Sequence, residues 1–161
     1  MSTDLVGFML SVMNDDRSAP PPPIDPRGPR LNQAVLAIAL LGGFLADWRP
    51  VIPLFAVVLF LGAAFGPRYG PVLRFYAEIV RPRLAPPTEL EDPRPPRFSA
   101  AVGVAFLGSA TLALVAGAST LAWVLALIVA ALAGLAAVTG LCIGCELYLI
   151  AARRRGLVMS P

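Results

Sequence analysis

The hexapeptide Asp25-Pro26-Arg27-Gly28-Pro29-Arg30 returns, with one residue changed, as Asp92-Pro93-Arg94-Pro95-Pro96-Arg97. Each copy leads into a long uncharged apolar stretch, and a second apolar stretch follows after a short polar turn. A charged, proline-rich corner followed by two apolar segments is typical of a helical hairpin in a membrane. The repeat therefore predicts an all-α fold, a transmembrane helical bundle built from two tandem hairpins.

The composition also indicates a membrane protein. Hydrophobic residues make up 57% of the chain, charged residues 14%, and the mean hydropathy is +0.74, so a water-soluble fold would expose an unusually large apolar surface. All 13 basic residues are arginine and histidine is absent, which excludes histidine-based catalysis and histidine-ligated metal sites in this chain. We expect the lipid bilayer as a partner and no nucleic acid, metal or cofactor.

Four apolar stretches define the predicted spans: residues 31–46, 51–65, 98–117 and 121–150. The first two are shorter than the roughly 20 residues of a perpendicular span, so this hairpin is shallow or, alternatively, re-entrant. As one helix the last stretch would extend about 45 Å, so it must tilt, bend or project. The predicted segments are the tail 1–24, the first hairpin 25–71, an interfacial segment 72–91, the second hairpin 92–152 and the basic tail 153–161.

The arginines predict the orientation. All except Arg49 lie in the N-terminal tail, the central segment or the C-terminus, and arginine near span ends is retained in the cytoplasm. Both termini are therefore predicted to be cytoplasmic, with four crossings. The bias toward Arg, Ala and Pro is typical of high-GC bacteria, so we expect a multi-pass protein of the bacterial cytoplasmic (inner) membrane.

Two segments outside the spans have weaker patterns. Residues 5–13 are mostly apolar but have no basic region before them, so they are interpreted as a retained stub, either a surface helix or a disordered tail. Residues 72–80 place apolar side chains on one helical face and the pair Arg74 and Glu78 on the other, which predicts an interfacial helix. That helix anchors the loop or, alternatively, binds a cytoplasmic partner.

The repeated hexapeptides contribute Arg27, Arg30, Arg94 and Arg97. Four guanidinium groups on one membrane face can hold a lipid headgroup or a small anion. The alternative is that they only determine topology and pair with Asp25 and Asp92, while the prolines form a stiff corner before each helix.

The motif Cys142-Ile143-Gly144-Cys145-Glu146 holds the only two cysteines. On a helix, Cys142, Cys145 and Glu146 share one face, so two thiols and a carboxyl group converge. Such a pair can cycle between dithiol and disulfide or pass a persulfide. Glu146 either accepts a thiol proton or, when ionised, keeps Cys145 protonated. The alternative is plain packing, because Cys and Gly suit helix contacts and a continuous helix strains a disulfide at this spacing.

Four motifs resemble the bacterial membrane family called domain of unknown function 4395. They are residues 25–33 before the first span, 65–71 after the second, 87–98 before the third, and Cys142-Ile143-Gly144-Cys145-Glu146-Leu147-Tyr148. The resemblance covers roughly residues 25–152. It implies a small polytopic membrane protein, carries over no catalytic residues, and associates the chain with thioredoxin-like or sulfurtransferase partners.

Three functional hypotheses follow. The first is a membrane-embedded dithiol, with Cys142, Cys145 and Glu146 exchanging electrons or sulfur with a cytoplasmic partner. The second is a non-catalytic accessory or scaffold subunit of a larger membrane complex, packed through the glycine-rich second hairpin. The third is a small-anion channel, for which the spans offer few polar side chains. A homo-oligomer is compatible with each hypothesis.

Overall fold

The computed structural model of the chain describes Gly7, residues 23–66, 70–85, Pro87 and residues 90–154. The N-terminal stub, apart from Gly7, and the end of the basic tail lie outside these residues. The described part is helical and contains no strand, only a single antiparallel bridge between Ile24 and Glu91, which confirms the all-α class. The helices are α1 (Arg27–Leu45), α2 (Val51–Phe65), α3 (Pro71–Phe75, continued as a π-helix Tyr76–Val80 and a 3-10 turn Arg81–Arg83), α4 (Arg94–Val115), α5 (Ser119–Thr139) and α6 (Ile143–Arg154).

Three of these helices are long and apolar enough to cross a membrane: α1 with 19 residues, α4 with 22 and α5 with 21. Helix α2 is equally apolar in character but has 15 residues. The chain is therefore a helical membrane protein by the length and composition of its helices. A fourth crossing by α2 stays a prediction.

The long helices begin earlier than predicted, at Arg27 and Arg94 instead of residues 31 and 98. The backbone N–H of Arg27 donates to Oδ1 of Asp25 at 3.0 Å, and that of Arg94 donates to Oδ1 of Asp92 at 2.9 Å. Each carboxylate thus satisfies one of the N–H groups that a helix start leaves without a partner, and proline is tolerated in a first turn. The last four residues of each hexapeptide therefore form the first helical turn, and only the Asp-Pro pair precedes the helix.

The helices pack mainly across the two copies of the repeat. The most extensive contacts are between α2 and α4, between α1 and α5, and between α4 and α5, whereas α1 and α2 touch little. Small residues allow close approach: a Cβ added to Gly103 on α4 would lie 2.7 Å from Cδ1 of Leu59 on α2. The shared core is rich in alanine and comprises Leu36, Ala37, Leu40, Val51, Ile52, Leu59, Leu107, Ala110, Ala113, Ala122, Trp123, Ala126, Val129, Ala130 and Ala133.

A helix does form in the predicted interfacial segment, as α3, and Arg74 Nε lies 2.7 Å from Oε1 of Glu78 as the spacing indicated. Its place at the membrane interface stays a prediction. The buried residue of α3 is Tyr76, whose hydroxyl donates to Oδ2 of Asp25 at 2.6 Å. The ring lies against Gly28, where an added Cβ would come within 3.3 Å of it. Gly28 is the one position at which the two hexapeptides differ, because the second copy has Pro95 there. The difference therefore falls at the position where α3 packs against the first hexapeptide.

Candidate functional site

The last apolar stretch is not one helix. Helix α5 ends at Thr139, Gly140 has φ +76°, residues 140–142 are non-helical, and α6 starts at Ile143. A positive φ favours glycine because it has no Cβ. The guanidinium of Arg30 lies against this turn, since a Cβ on Gly140 would be 2.6 Å from Nη2. The prediction that both cysteines lie within a continuous helix is therefore wrong, and so is the argument that a regular helix would strain their disulfide.

Cys142 instead precedes the first residue of α6. Its carbonyl accepts the backbone N–H of Glu146 at 3.0 Å, and the backbone N–H of Cys145 reaches its side chain. Cys142 thus occupies the N-cap position, and Cys145 lies in the first turn of a 12-residue helix. The N–H groups and the dipole at a helix N-terminus favour a thiolate there.

Two other helices complete the surroundings of the Cys142 sulfur. The Cys142 sulfur lies 3.2 Å from Oγ of Ser99 on α4, within hydrogen-bond distance, and Nε2 of Gln33 on α1 donates to the sulfur at 3.5 Å. Gly144 permits this approach of α6 to α4, because a Cβ there would lie 2.8 Å from Oγ of Ser99. Farther along, Tyr148 is buried with its ring centroid 5.7 Å from that of Phe98. The site is therefore assembled by packing of α1, α4 and α6.

The two thiols differ in acidity. The pKa of Cys142 is lowered to about 5, chiefly by a side-chain hydrogen bond from Cys145 and further by Ser99, the Cys145 backbone N–H and Gln33, against the opposing effect of burial. The pKa of Cys145 is raised well above its usual range by the same hydrogen bond, by burial and by the charges of Cys142, Glu91 and Glu146. Cys142 is thus the thiolate near neutral pH, and Cys145 keeps its proton.

Glu146 lies in the first turn of α6 with its side chain exposed. Its negative charge contributes to the raised pKa of Cys145, which is the second of the two effects considered for it. Among the described residues, no hydrogen bond runs from either cysteine S–H to this carboxylate, so a role as proton acceptor stays a prediction.

The four arginines of the predicted anion site have partners within the protein. Arg27 Nη1 donates to the Ala85 carbonyl at 3.2 Å, Arg97 Nη2 donates to the Ala63 carbonyl at 3.3 Å, and Arg30 contacts Gly140. Arg94 Nε lies 3.9 Å from Oδ1 of Asp92, the ion pair that the topology interpretation expected. These contacts give each arginine a structural role, and the anion or headgroup site stays a prediction.

A partly open cleft of about 130 Å³ runs from Cys142 into the bundle. Ser99 and Gln33, the two hydrogen-bond partners of the thiol, line it together with Asn32 and Arg97, and the rest of its wall is predominantly apolar. Apolar clefts with a few convergent polar groups are the usual form of a small-molecule site.

Sequence reasoning missed Ser99 and Gln33 as neighbours of the thiol. They are 43 and 109 residues from Cys142 along the chain, so spacing around the motif gives no sign of them. A signal did exist in the repeat: Ser99 holds the same position after Asp92 as Asn32 holds after Asp25, and both line the cleft.

No curated protein and no solved structure matches the chain. A family profile described as "Domain of unknown function (DUF4395)" matches residues 24–153. The matched region begins at the residue before the first hexapeptide and ends one residue before the end of α6, so it includes α1 to α5, nearly all of α6 and the whole thiol site. The chain therefore belongs to the DUF4395 family.

Proposed function

We propose that the protein is a membrane-bound thiol oxidoreductase in which Cys142 is the nucleophile and Cys145 the resolving thiol. The observation that supports this most is the position of Cys142 at the start of α6, where its sulfur is within hydrogen-bond distance of Ser99 and Gln33 from two other helices. Packing alone would not require two polar side chains to meet a sulfur atom, because thiols are weak hydrogen-bonding groups that pack well as small hydrophobes.

The exchange with a disulfide partner proceeds in two steps. The Cys142 thiolate attacks one partner sulfur, a mixed disulfide forms, and the other partner sulfur leaves as a thiolate. Cys145 then loses its proton to solvent and attacks the Cys142 sulfur, which releases the partner as a dithiol and leaves a Cys142–Cys145 disulfide. Two electrons pass to the partner, and the reverse sequence oxidises it. Transfer of a sulfane sulfur would use the same nucleophile and leave a persulfide on Cys142.

We infer four crossings from the ends of the helices. The bridge between Ile24 and Glu91 and the contact of Arg97 with Ala63 bring the start of α1, the end of α2 and the start of α4 together. If α1 crosses the bilayer, α2 must therefore return the chain across it. The arginine-rich segments and the thiols lie at this same end, which the positive-inside rule assigns to the cytoplasm.

The partner would accordingly be a cytoplasmic protein with an exchangeable disulfide or persulfide, such as a thioredoxin-like protein or a sulfurtransferase. Cys142 and Cys145 are both half-buried, so a partner would approach along the exposed first turn of α6, where Glu146 lies. A homo-oligomer or a larger membrane complex is compatible with this arrangement.

The test is mass-shift alkylation of the full-length protein in native membranes, equilibrated in buffers of graded thiol–disulfide ratio. We expect Cys142 and Cys145 to become protected together at one potential, and Cys145→Ser to trap mixed disulfides through Cys142. The matched control is Cys142→Ser, which should trap few. Two thiols that stay modifiable throughout the series would favour the scaffold hypothesis, and a persulfide mass on Cys142 would identify sulfur transfer.

A further inference from the structure

The proposed nucleophile, Cys142, lines the cleft, and the resolving thiol, Cys145, does not. Cys142, Ile143 and Gly144 line it, whereas Cys145 is not among its lining residues. A molecule in the cleft would therefore meet the reactive sulfur from the side of the bundle, and a cytoplasmic partner would approach from the other side. The dithiol thus has two separate approaches, one for each half of a redox cycle.

The chemistry of the wall restricts what can enter. Beyond the polar end, the cleft is lined by apolar side chains of α2, α4 and α5, such as Val58, Phe106 and Val129. The cleft is partly open, and Leu132 in its wall is 41% exposed on the outer surface of the bundle, which in a membrane contacts lipid. An apolar molecule dissolved in the bilayer can enter this way, and a hydrated one cannot do so cheaply.

The polar end adds a second requirement. The Gln33 and Asn32 amides, the Ser99 hydroxyl and the Arg97 guanidinium are hydrogen-bonding groups in an otherwise largely apolar wall. Gln33 and Ser99 lie within hydrogen-bond distance of the Cys142 sulfur. Such an end suits a head group with hydrogen-bond acceptors and no positive charge. A head group that accepts the electrons of the dithiol must also react with a thiolate, because Cys142 lines this cleft.

A ring with two carbonyl acceptors, electrophilic toward thiolates and carried on an apolar tail, meets all three requirements. We propose that the cleft binds a lipid-soluble quinone that reoxidises the Cys142–Cys145 dithiol. The S–H bond of Cys145 breaks and one S–S bond forms between Cys145 and the Cys142 thiolate. The two electrons, the proton from Cys145 and one proton from solvent reduce the quinone to the quinol. This inference rests on the dithiol function proposed above, in the direction in which the Cys142–Cys145 disulfide oxidises the partner, and it supplies the electron acceptor that restores the disulfide.

The test uses the full-length protein, purified in detergent, reduced and freed of reductant without oxygen. Decyl-ubiquinone and a short-chain menaquinone are the probes, with quinol formation followed by absorbance and disulfide formation by mass-shift alkylation. We expect one quinol for each disulfide formed. Val102→Trp should fill the cleft and slow the quinone reaction at least about tenfold, equivalent to roughly 1.4 kcal/mol, while oxidation by the small water-soluble reagent diamide continues at the wild-type rate.

The matched control is Val138→Trp, because Val138 is 89% exposed and lies outside the cleft; it should react like the wild type. If Val102→Trp does not fold, Leu132→Trp, in the exposed part of the cleft wall, is the second blocking variant. Diamide oxidation without quinone oxidation would overturn the quinone proposal and leave the dithiol function standing. Equal quinone rates in all variants would also overturn it, as would a co-purified phospholipid that Val102→Trp expels without any quinone reaction. Failure of both oxidants to form a disulfide would overturn the dithiol function as well.

Discussion

Ile24 and Glu91 exchange two backbone hydrogen bonds, each with an N to O distance of 2.9 Å, and each residue immediately precedes one copy of the Asp-Pro-Arg motif. Residues paired in this way in an antiparallel bridge are related by a local twofold axis. The equivalence extends to the arginines: Arg30 contacts Gly140 at the end of α5, and Arg97 donates to the carbonyl of Ala63 near the end of α2. Each copy therefore positions the second long helix of the other.

The repeated unit contains a third helix. After α2 a glycine with positive φ, Gly66, precedes α3, and after α5 Gly140 precedes α6. Each third helix packs back on the first helix of its own copy through a buried tyrosine, Tyr76 or Tyr148. The residue before the third helix is Gly70 in the first copy and Cys142 in the second. Only the second copy thus carries a thiol at this junction.

The difference in acidity between the thiols predicts selective labelling. Because the pKa of Cys142 is lowered to about 5 and that of Cys145 is raised, iodoacetamide near neutral pH should modify Cys142 first. The Cys142 rate should be constant above about pH 6 and should fall as the pH drops through the pKa, since the thiolate is lost. Peptide mass spectrometry over a pH series measures both rates. In the detergent-unfolded chain the two rates should be equal, and faster modification of Cys145 in the folded protein would contradict the assignment.

Ser99→Ala should make Cys142 less acidic. The Ser99 hydroxyl stabilises the thiolate, so its removal raises the pKa of Cys142 and slows alkylation near pH 6, while the rate well above the new pKa is unchanged. The pH dependence of alkylation measures the shift. Ser109→Ala is the matched control, because Ser109 lies on the same helix and donates only to the Ala105 carbonyl at 2.8 Å. Identical profiles for both variants would exclude a role for Ser99 at the thiol.

Gly140→Ala should destabilise the protein by about 1–2 kcal/mol, the usual penalty for an L residue in the left-handed region. The added Cβ would also displace Arg30, whose Nη2 lies 2.6 Å from that position. Thermal unfolding in detergent measures the change. Gly108→Ala is the control, since a Cβ there meets nothing within 4 Å and alanine is the better helix former; it should be neutral or slightly stabilising. A loss of stability in Gly108→Ala alone would contradict the turn at Gly140.

The proposed four-span topology predicts which positions are accessible from outside the cell. In the Cys142→Ser/Cys145→Ser background, single cysteines replacing Trp48 or Ala118, both exposed in the short turns, should react with a membrane-impermeant maleimide in intact spheroplasts. Single cysteines replacing Leu84 or Arg153, both exposed at the opposite end, should react only after lysis. Labelling of Ala118→Cys without Trp48→Cys would mean that the first hairpin is re-entrant.

Some of this architecture follows from local sequence. Whether a segment is a membrane helix depends on its own apolar length. The apolar stretches therefore predicted both ends of α1, α2 and α4 and the start of α5 to within a few residues, but not the end of α5. The Arg74–Glu78 pair was predictable because residues four apart on a helix are neighbours. The starts of α1 and α4 were missed because an Asp followed by prolines was interpreted as a corner, whereas the carboxylate accepts a hydrogen bond from the first helical N–H.

The sequence by itself determined that the chain is a helical membrane protein with a duplicated motif and one pair of thiols. Only the tertiary structure decided that α1 pairs with α5 and α2 with α4, and that Ser99 and Gln33 meet the Cys142 sulfur. The physical reason is that apolar periodicity specifies a helix but not its partner, since lipid-facing and helix-facing residues are equally hydrophobic. The acidity of Cys142 depends on that choice of partners, and so does the cleft that reaches it.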